Sequence, residues 1–579
     1  MSAVGSQSGF VDEATPATTK DPRRLLSFSA RRVAGVVVAV LTVVASVLVT
    51  ARPALNGDVT YAFGGMETAG EGGVSIWDVF VARPLIYRLL VGGLDVGRSL
   101  FVGDAASVAS QRVVRAETDL LAVAVAVVLF LGVRRFLGAR AGAVVAVATG
   151  LALIVSPPWH FLEPDWAAAL AAVLAVGAAC APRRIWAGAV LGGLAAALVI
   201  AVKLATAPLA VLAIVLVAVL HWRRAAWMAG ATAGWAVVWY ALTKHFLPWE
   251  WIWLRDQADL VDNSPIHHGL RLADIHHLII ATGDVAILSP LVAVAPAAAA
   301  VLVRRAAPGR ARWIAAGVAV AAAGLSVASA YGQGEFFMYH FAVVPVLAAG
   351  VCAAAFALSA PARMPLIAVT AVFAATSFVL LRRPPAWRHD HVTVVVAAYV
   401  LGAIVAAVLV WLADGRTARP VPPAFGVVVL SGALVLATLP GAPYAFSTAN
   451  YALHNNPPAL AGYAQLSQRI GRDTPVMYLT FGAVNYGMGN PTACRYPSPQ
   501  WLQRGTAYPR VRDYPSYVDN LRCLTEDKEA EYLIVQTQWF PLQKADPQVR
   551  SLIEEKFDCS PAARIPAPSI LIVCPARAH

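Results

Sequence analysis

The chain has 579 residues, of which 59% are hydrophobic and only 13% charged, with a mean hydropathy of +0.64 and a formal net charge of +12. No water-soluble domain of this length carries that balance, so the composition excludes a soluble enzyme and leaves a polytopic membrane protein. No G-x-G-x-x-G or P-loop pattern occurs, which leaves nucleotide binding without support, and nucleic acid is not an expected partner.

Residues 1–32 are read as a disordered cytoplasmic N-terminus, polar and rich in Ser and Thr at its start. A span needs roughly 20 apolar residues, and in lipid its backbone must be helical to satisfy its own polar groups. Candidate spans run over 33–51, 116–133, 141–158, 166–182, 185–202, 205–221, 225–243, 283–303, 313–331, 341–360, 364–381, 392–413 and 422–440, about thirteen in all. The first reads as a retained helix rather than a cleaved signal, because no A-x-A-like site follows closely. Arg23, Arg24, Arg31 and Arg32 precede it and set the N-terminus in the cytoplasm. Alternate loops then carry Arg134/Arg135, Arg183/Arg184, Arg223/Arg224, Arg304/Arg305/Arg310/Arg312, Arg363 and Arg416/Arg419. Arg382, Arg383 and Arg388 break the rule, so either that helix pair is misassigned or those arginines face lipid phosphate. The expected location is the cytoplasmic membrane, with 33–440 as the transmembrane catalytic region and 441–579 as an extracytoplasmic domain.

The loops assigned to the outer face hold the polar residues that packing does not need. In 52–115, Asp58 follows Asn56-Gly57; it is either a solvated turn acid or a general base for an acceptor hydroxyl. Gly64-Gly65, Gly70 and Gly72-Gly73 mark flexible turns, and Glu67 and Glu71 among them read as solvated. Ile76 to Leu94 is predicted to be an amphipathic interfacial helix through Trp77, Phe80, Leu85 and Leu89. It carries Arg83 and Arg88, whose guanidinium groups suit phosphate oxygens, of a donor or of lipid headgroups. Between spans three and four lie His160, Glu163 and Asp165; Asp165 is placed either to cap the next helix or to serve a site. Lys203 interrupts apolar sequence, where a lysine is costly unless it snorkels or pairs. Trp249, Trp251 and Trp253 open the loop 244–282 and read as an interfacial belt. The turn at 331–340 offers Gln333, Glu335, Tyr339 and His340 to one cavity. His267, His268, His276 and His277 make a metal site conceivable, but adjacent histidines point in different directions, and no metal or other cofactor is assigned.

After the last span, Pro457 to Arg472 and Tyr514 to Ala530 have helical spacing, while Val476–Phe481, Tyr532–Gln536 and Ile570–Val573 read as strands. A small α/β domain follows from that alternation. It holds Cys494, Cys523, Cys559 and Cys574, which point to two disulfides of open connectivity in an oxidising compartment; a zinc site is the weaker reading because no C-x-x-C pair is present. Cys180 and Cys352 lie within spans as small core residues. Trp501, Tyr508 and Tyr514 are candidates for stacking on sugars.

These features together resemble the GT-C superfamily of membrane glycosyltransferases that use polyprenyl-phosphate sugars. The resemblance rests on an acid shortly after the first span, the Arg83-Pro84-Leu85-Ile86-Tyr87-Arg88 segment, the acid-bearing second outer loop, the Gln333 to His340 turn and the C-terminal domain. The Ala-, Val- and Arg-rich composition is similar to that of actinobacterial arabinofuranosyl- and mannosyltransferases. The resemblance implies Asp58 as catalytic base, Arg83, Arg88 and Lys203 on the donor phosphate, and Glu163, Asp165, His160, Gln333, Glu335, Tyr339 and His340 around acceptor or sugar. Many relatives carry two adjacent acids where this chain has Asp58-Val59, so a divalent cation is not supported. The implied reaction is inverting transfer to an envelope glycan or glycolipid. The competing readings are a secondary transporter or flippase, which usually shows repeated halves, and a non-catalytic scaffold.

Overall fold

The computed structural model describes residues 37–38, 40–48, 54–103, 106–263, 274–334, 336–413, 421, 423–447 and 460–577. Among these, seven helices are long and apolar enough to cross a membrane: Val108–Leu137, Ile185–Val202, Leu204–Phe246, Arg310–Gln333, Met338–Leu358, Arg363–Leu380 and Pro385–Ala413. Ala139–Ile154, Pro164–Cys180 and Phe425–Thr438 are shorter apolar helices packed among them. The protein is a helical, multi-pass membrane protein with a small sheet near its C-terminus.

Two places show how the sequence sets the path. The stretch Ala207–Phe246 counts as one helix, but its 40 residues would extend about 60 Å, twice the hydrocarbon thickness. His221 breaks it with an extended backbone (φ −163°, ψ 95°), and beyond the break Arg224 donates to the carbonyls of Ala179 and Arg183, each at 2.8 Å. The predicted pair 205–221 and 225–243 therefore meets at that break. The span predicted at 283–303 differs more. Asp274–Leu288 and Leu291–Arg305 meet at 95° across Ser289-Pro290, because proline supplies no N–H to continue the helix.

The Ala- and Gly-rich helices pack closely. A Cβ on Gly177 would lie 2.7 Å from the Leu129 nitrogen, and one on Gly192 would lie 2.6 Å from the Ala179 Cβ. Without a hydrophobic drive between helices in lipid, such small-residue seams let backbones approach.

The first long loop departs from expectation. Gly72-Gly73 make the predicted turn, but Gly64, Gly65 and Gly70 do not: Gly57–Glu71 is a helix, N-capped by Asn56, whose side chain accepts from the Val59 N–H at 2.9 Å. Gly64 lies where a side chain would collide with the backbone of Tyr486, so the glycine permits docking of this helix on the C-terminal domain. The predicted amphipathic helix begins only at Leu85, since the residue before a proline is driven to extended backbone, and it runs to Ser99. Phe80 is buried between Trp253 and Tyr496 (centroids 6.0 and 5.7 Å). The three tryptophans of the Pro248–Asn263 helix also face protein. Trp253 is buried, Trp249 donates to Tyr496 Oη at 3.2 Å and Trp251 to Thr243 Oγ1 at 3.0 Å.

Near the C-terminus, β1 (Val476–Leu479) pairs in parallel with β2 (Tyr532–Gln536), and β2 pairs antiparallel with β3 (Leu571–Pro575). Helices Leu460–Ile470 and Pro515–Glu526 fall within the predicted helical stretches. Cys494 is bonded to Cys523 and Cys559 to Cys574, while Cys180 and Cys352 are free and buried.

Candidate active site

Asp58 sits in the first turn of the Gly57–Glu71 helix, a position that stabilises an anion through the exposed N–H groups there. Its Oδ2 lies 3.5 Å from Nη2 of Arg83, and that same nitrogen lies 3.8 Å from Oε2 of Glu163. One guanidinium thus joins the acid of the first loop to the acid between two membrane helices.

The backbone around this link is repeated. Ala82 (φ 52°) and Leu162 (φ 64°) are the non-glycine residues with positive φ among the described residues. Each immediately precedes a site residue that is followed by proline: Ala82-Arg83-Pro84 and Leu162-Glu163-Pro164. A left-handed backbone costs a β-carbon residue about 1–3 kcal/mol and persists only where surrounding contacts impose it. Here Tyr87 Oη donates to the Leu162 carbonyl at 2.9 Å, and Arg83 Nη1 donates to the Ala82 carbonyl at 3.0 Å. Both prolines favour extended backbone before them, so the two turns aim Arg83 and Glu163 at one point.

Glu163 is fully buried, and neither carboxylate oxygen finds a hydrogen-bond partner among the described residues. Burial, reinforced by the nearby Asp58 charge, holds its carboxyl well above the usual range despite Arg83 and Lys203. His160 is also buried with both ring nitrogens unpartnered, and burial pushes it down to about 3 against the pull of Asp165. Burial works to lower the Arg83 pKa, but Asp58 and Glu163 outweigh it and raise it, so Arg83 stays charged.

A second ion pair adjoins the first. Lys203, in extended backbone after the Ile185–Val202 helix, places Nζ 2.9 Å from Asp165 Oδ2. Gln333 Nε2 donates to the other oxygen at 3.1 Å, and Ser329 Oγ does so at 3.4 Å. Lys203 Nζ also lies 5.5 Å from the centroid of the Tyr339 ring, which stacks on Phe337 and touches the His340 ring edge-on (centroids 5.6 and 4.4 Å). Three acids, Asp58, Glu163 and Asp165, thus meet two cations, Arg83 and Lys203, in one cluster.

Arg88 is placed elsewhere. It is fully buried and paired with Glu250 at 2.6 Å, with further bonds to the carbonyls of Val79 and Ile76. Glu250 also accepts from the Leu85 N–H at 2.8 Å, so this pair clamps the helix start to the Pro248–Asn263 helix. Sequence reasoning passed over Glu250; an acid set among Trp249, Trp251 and Trp253 was the available signal. It passed over Tyr87 and Ser329 as well. Glu335, His267 and His268 lie outside the described residues. His276 and His277 lie exposed on the Asp274–Leu288 helix. Trp501 is buried against Tyr514. Arg388, from the exceptional basic loop, donates to the Ala445 carbonyl at 3.1 Å rather than facing lipid phosphate. Two further cavities, one bordered by Val294, Cys352 and Gly426 and one beneath β1, have none of the site residues in their walls.

No protein-family model and no curated protein matches the chain. Among solved structures it is similar to ArnT from Cupriavidus metallidurans. Against the apo form the identity is 16%, over 95% of this chain and 98% of that chain, with a TM-score of 0.47. Against the form bound to undecaprenyl phosphate the identity is 18%, over 94% and 97%, with a TM-score of 0.48.

Proposed function

We propose that the protein is an inverting GT-C-type glycosyltransferase. It would move a sugar from a polyprenyl-phosphate donor to a cell-envelope glycan or glycolipid, at the outer face of the cytoplasmic membrane, with the N-terminus in the cytoplasm. The observation that carries this reading is the Arg83 guanidinium between Asp58 and the buried Glu163, whose carboxylate makes no hydrogen bond among the described residues, with the Lys203–Asp165 pair alongside. A fixed pair of cations beside an acid that can take a proton is what displacement of a lipid phosphate requires.

In that reaction Asp58 accepts the proton of the acceptor hydroxyl as its oxygen bonds to the anomeric carbon. The bond from that carbon to the phosphate oxygen breaks, and its electron pair leaves with the phosphate. Arg83 and Lys203 meet the charge that develops there, stabilisation that counts for most where water is excluded. Arg83 exchanges its carboxylate contacts for the phosphate, which leaves Asp58 free to act. Asp165 holds Lys203 in place, and Glu163 and neutral His160 serve as hydrogen-bonding groups for donor or acceptor. Arg88 has a structural role in this scheme.

The test incubates purified protein with a panel of polyprenyl-phosphate sugars and envelope acceptors, comparing wild type with Asp58→Asn. The variant should lose roughly 10²–10⁴-fold in rate, the usual contribution of a positioned base. Undiminished transfer by the variant removes Asp58 from the mechanism. The 95° break at Ser289-Pro290 is the observation that favours a second reading, a transporter. Absence of transfer from any donor, together with lipid or ion flux in vesicles, would establish it.

A further inference from the structure

A row of aromatic rings leads away from Asp58. Tyr61 lies three residues further along the same helix and therefore on nearly the same face. Its ring centroid is 4.7 Å from that of Phe481, in the turn after β1, and Phe481 is 5.7 Å from Trp539, just after β2, with 19° between the ring planes. At that separation near-parallel rings are offset rather than eclipsed, so each leaves part of a face uncovered. Tyr61 is buried, whereas Phe481 and Trp539 are part-exposed. Open space borders the row at two points. A Cβ on Gly57, next to Asp58, would meet nothing within 4 Å, and the same holds for Gly482, next to Phe481. Amide side chains edge the rings: Gln500 Nε2 donates to Tyr61 Oη at 3.2 Å, and Gln536 Oε1 accepts from the Phe481 N–H at 2.9 Å.

We infer that Phe481 and Trp539, backed by the buried Tyr61, form a binding track for the acceptor, and that this acceptor is a carbohydrate chain; the inference rests on the transferase reading above. A sugar presents an apolar C–H face to an aromatic ring and hydroxyls around its edge to amides, which matches part-exposed rings flanked by Gln500 and Gln536. A prenyl chain has no use for the amides. The row joins the C-terminal domain to the helix that carries the base, so a chain lying on Trp539 and Phe481 brings its terminal hydroxyl towards Asp58. The track would bind an acceptor before the donor is engaged.

The experiment measures binding and turnover separately in the full-length protein. Saturation-transfer NMR with linear arabinan- and mannan-derived oligosaccharides reads binding in wild type, Asp58→Asn, Trp539→Ala and Trp539→Phe. Binding should persist in Asp58→Asn, weaken about tenfold in Trp539→Ala and recover in Trp539→Phe, which restores a ring. In transfer assays Trp539→Ala should raise the KM for acceptor about tenfold with kcat and donor KM unchanged, the loss expected of one ring contact of about 1.4 kcal/mol. Equal thermal midpoints for the two Trp539 variants exclude unfolding as the cause. Should the midpoint of Trp539→Ala fall, Gln536→Leu, probed with the same oligosaccharides, replaces it as the deciding variant. Oligosaccharide binding as tight in Trp539→Ala as in wild type, or an unchanged acceptor KM, overturns the track. Binding that requires Trp539 in a protein that transfers from no donor would keep the track and remove the transferase.

Discussion

Arg83 and Arg88 lie five residues apart in one basic segment, and the structure predicts opposite consequences for losing them. Arg88→Met removes one partner of a buried ion pair held at 2.6 Å and leaves the Glu250 carboxylate with the Leu85 N–H. Breaking such a pair typically costs about 3–5 kcal/mol, because the surviving charge stays buried. At about 2–4 °C per kcal/mol for a sizeable domain, the thermal midpoint should drop by roughly 6–20 °C. The sign of its pH dependence also follows. Burial already raises the Glu250 pKa against the opposing pull of Arg88, and without Arg88 it rises further. The folded variant then holds a proton that the unfolded chain releases, so the loss grows as pH rises above the ordinary glutamate value. Arg83→Met differs, since its contacts to Asp58 and Glu163 are looser, at 3.5 and 3.8 Å, and Arg83 and Asp58 keep some exposure (16% and 23%). Its midpoint should move by less than about 1 kcal/mol equivalent, while transfer falls by about 10²–10³ through loss of a charge aimed at the leaving phosphate. Thermal unfolding in detergent and donor-dependent transfer, measured on both variants, give the two readouts. An Arg88 variant with an unchanged midpoint, or an Arg83 variant with full transfer, refutes the division between clamp and site.

Two further outcomes follow from the same contacts. Glu163 keeps its proton in the folded state above the ordinary value of 4.5, so the native protein loses stability relative to Glu163→Gln as pH rises from there towards the raised value. The midpoint difference between the two should therefore widen as pH rises above 4.5, by about 1.4 kcal/mol equivalent for each unit through which Glu163 remains protonated; parallel curves would show that its pKa is not raised. Gly64→Val drives a side chain into the Tyr486 backbone, an overpacking that costs about 1–3 kcal/mol. Since the same helix carries Asp58, both midpoint and transfer should fall, and a variant normal in both would disprove the docking of that helix on the C-terminal domain.

Much of the scaffold was readable from the linear chain. Apolar runs near bilayer length, broken by paired arginines, mark helices whose backbone has no alternative in lipid. Alternation of strand- and helix-like segments after residue 441 announced a layered domain, and four cysteines announced two bridges, because these signals are local. Asp58, Arg83, Glu163, Asp165 and Lys203 stood out because charge is costly in such surroundings. Other features depended on contacts between distant residues. Nothing in the spacing of Arg83 and Arg88 says that one faces a site and the other a buried glutamate 162 positions away. Gly64, Gly65 and Gly70 look like turn residues in the sequence, yet they lie in a helix, with Tyr486 against Gly64. The positive φ at Ala82 and Leu162 and the pairing of the cysteines likewise come from chain segments meeting in space. Local chemistry determined which residues the protein could not afford to leave unpartnered; only the tertiary structure decided which partner each one met, since a side chain's neighbours across the chain are set by packing and not by its position in the sequence.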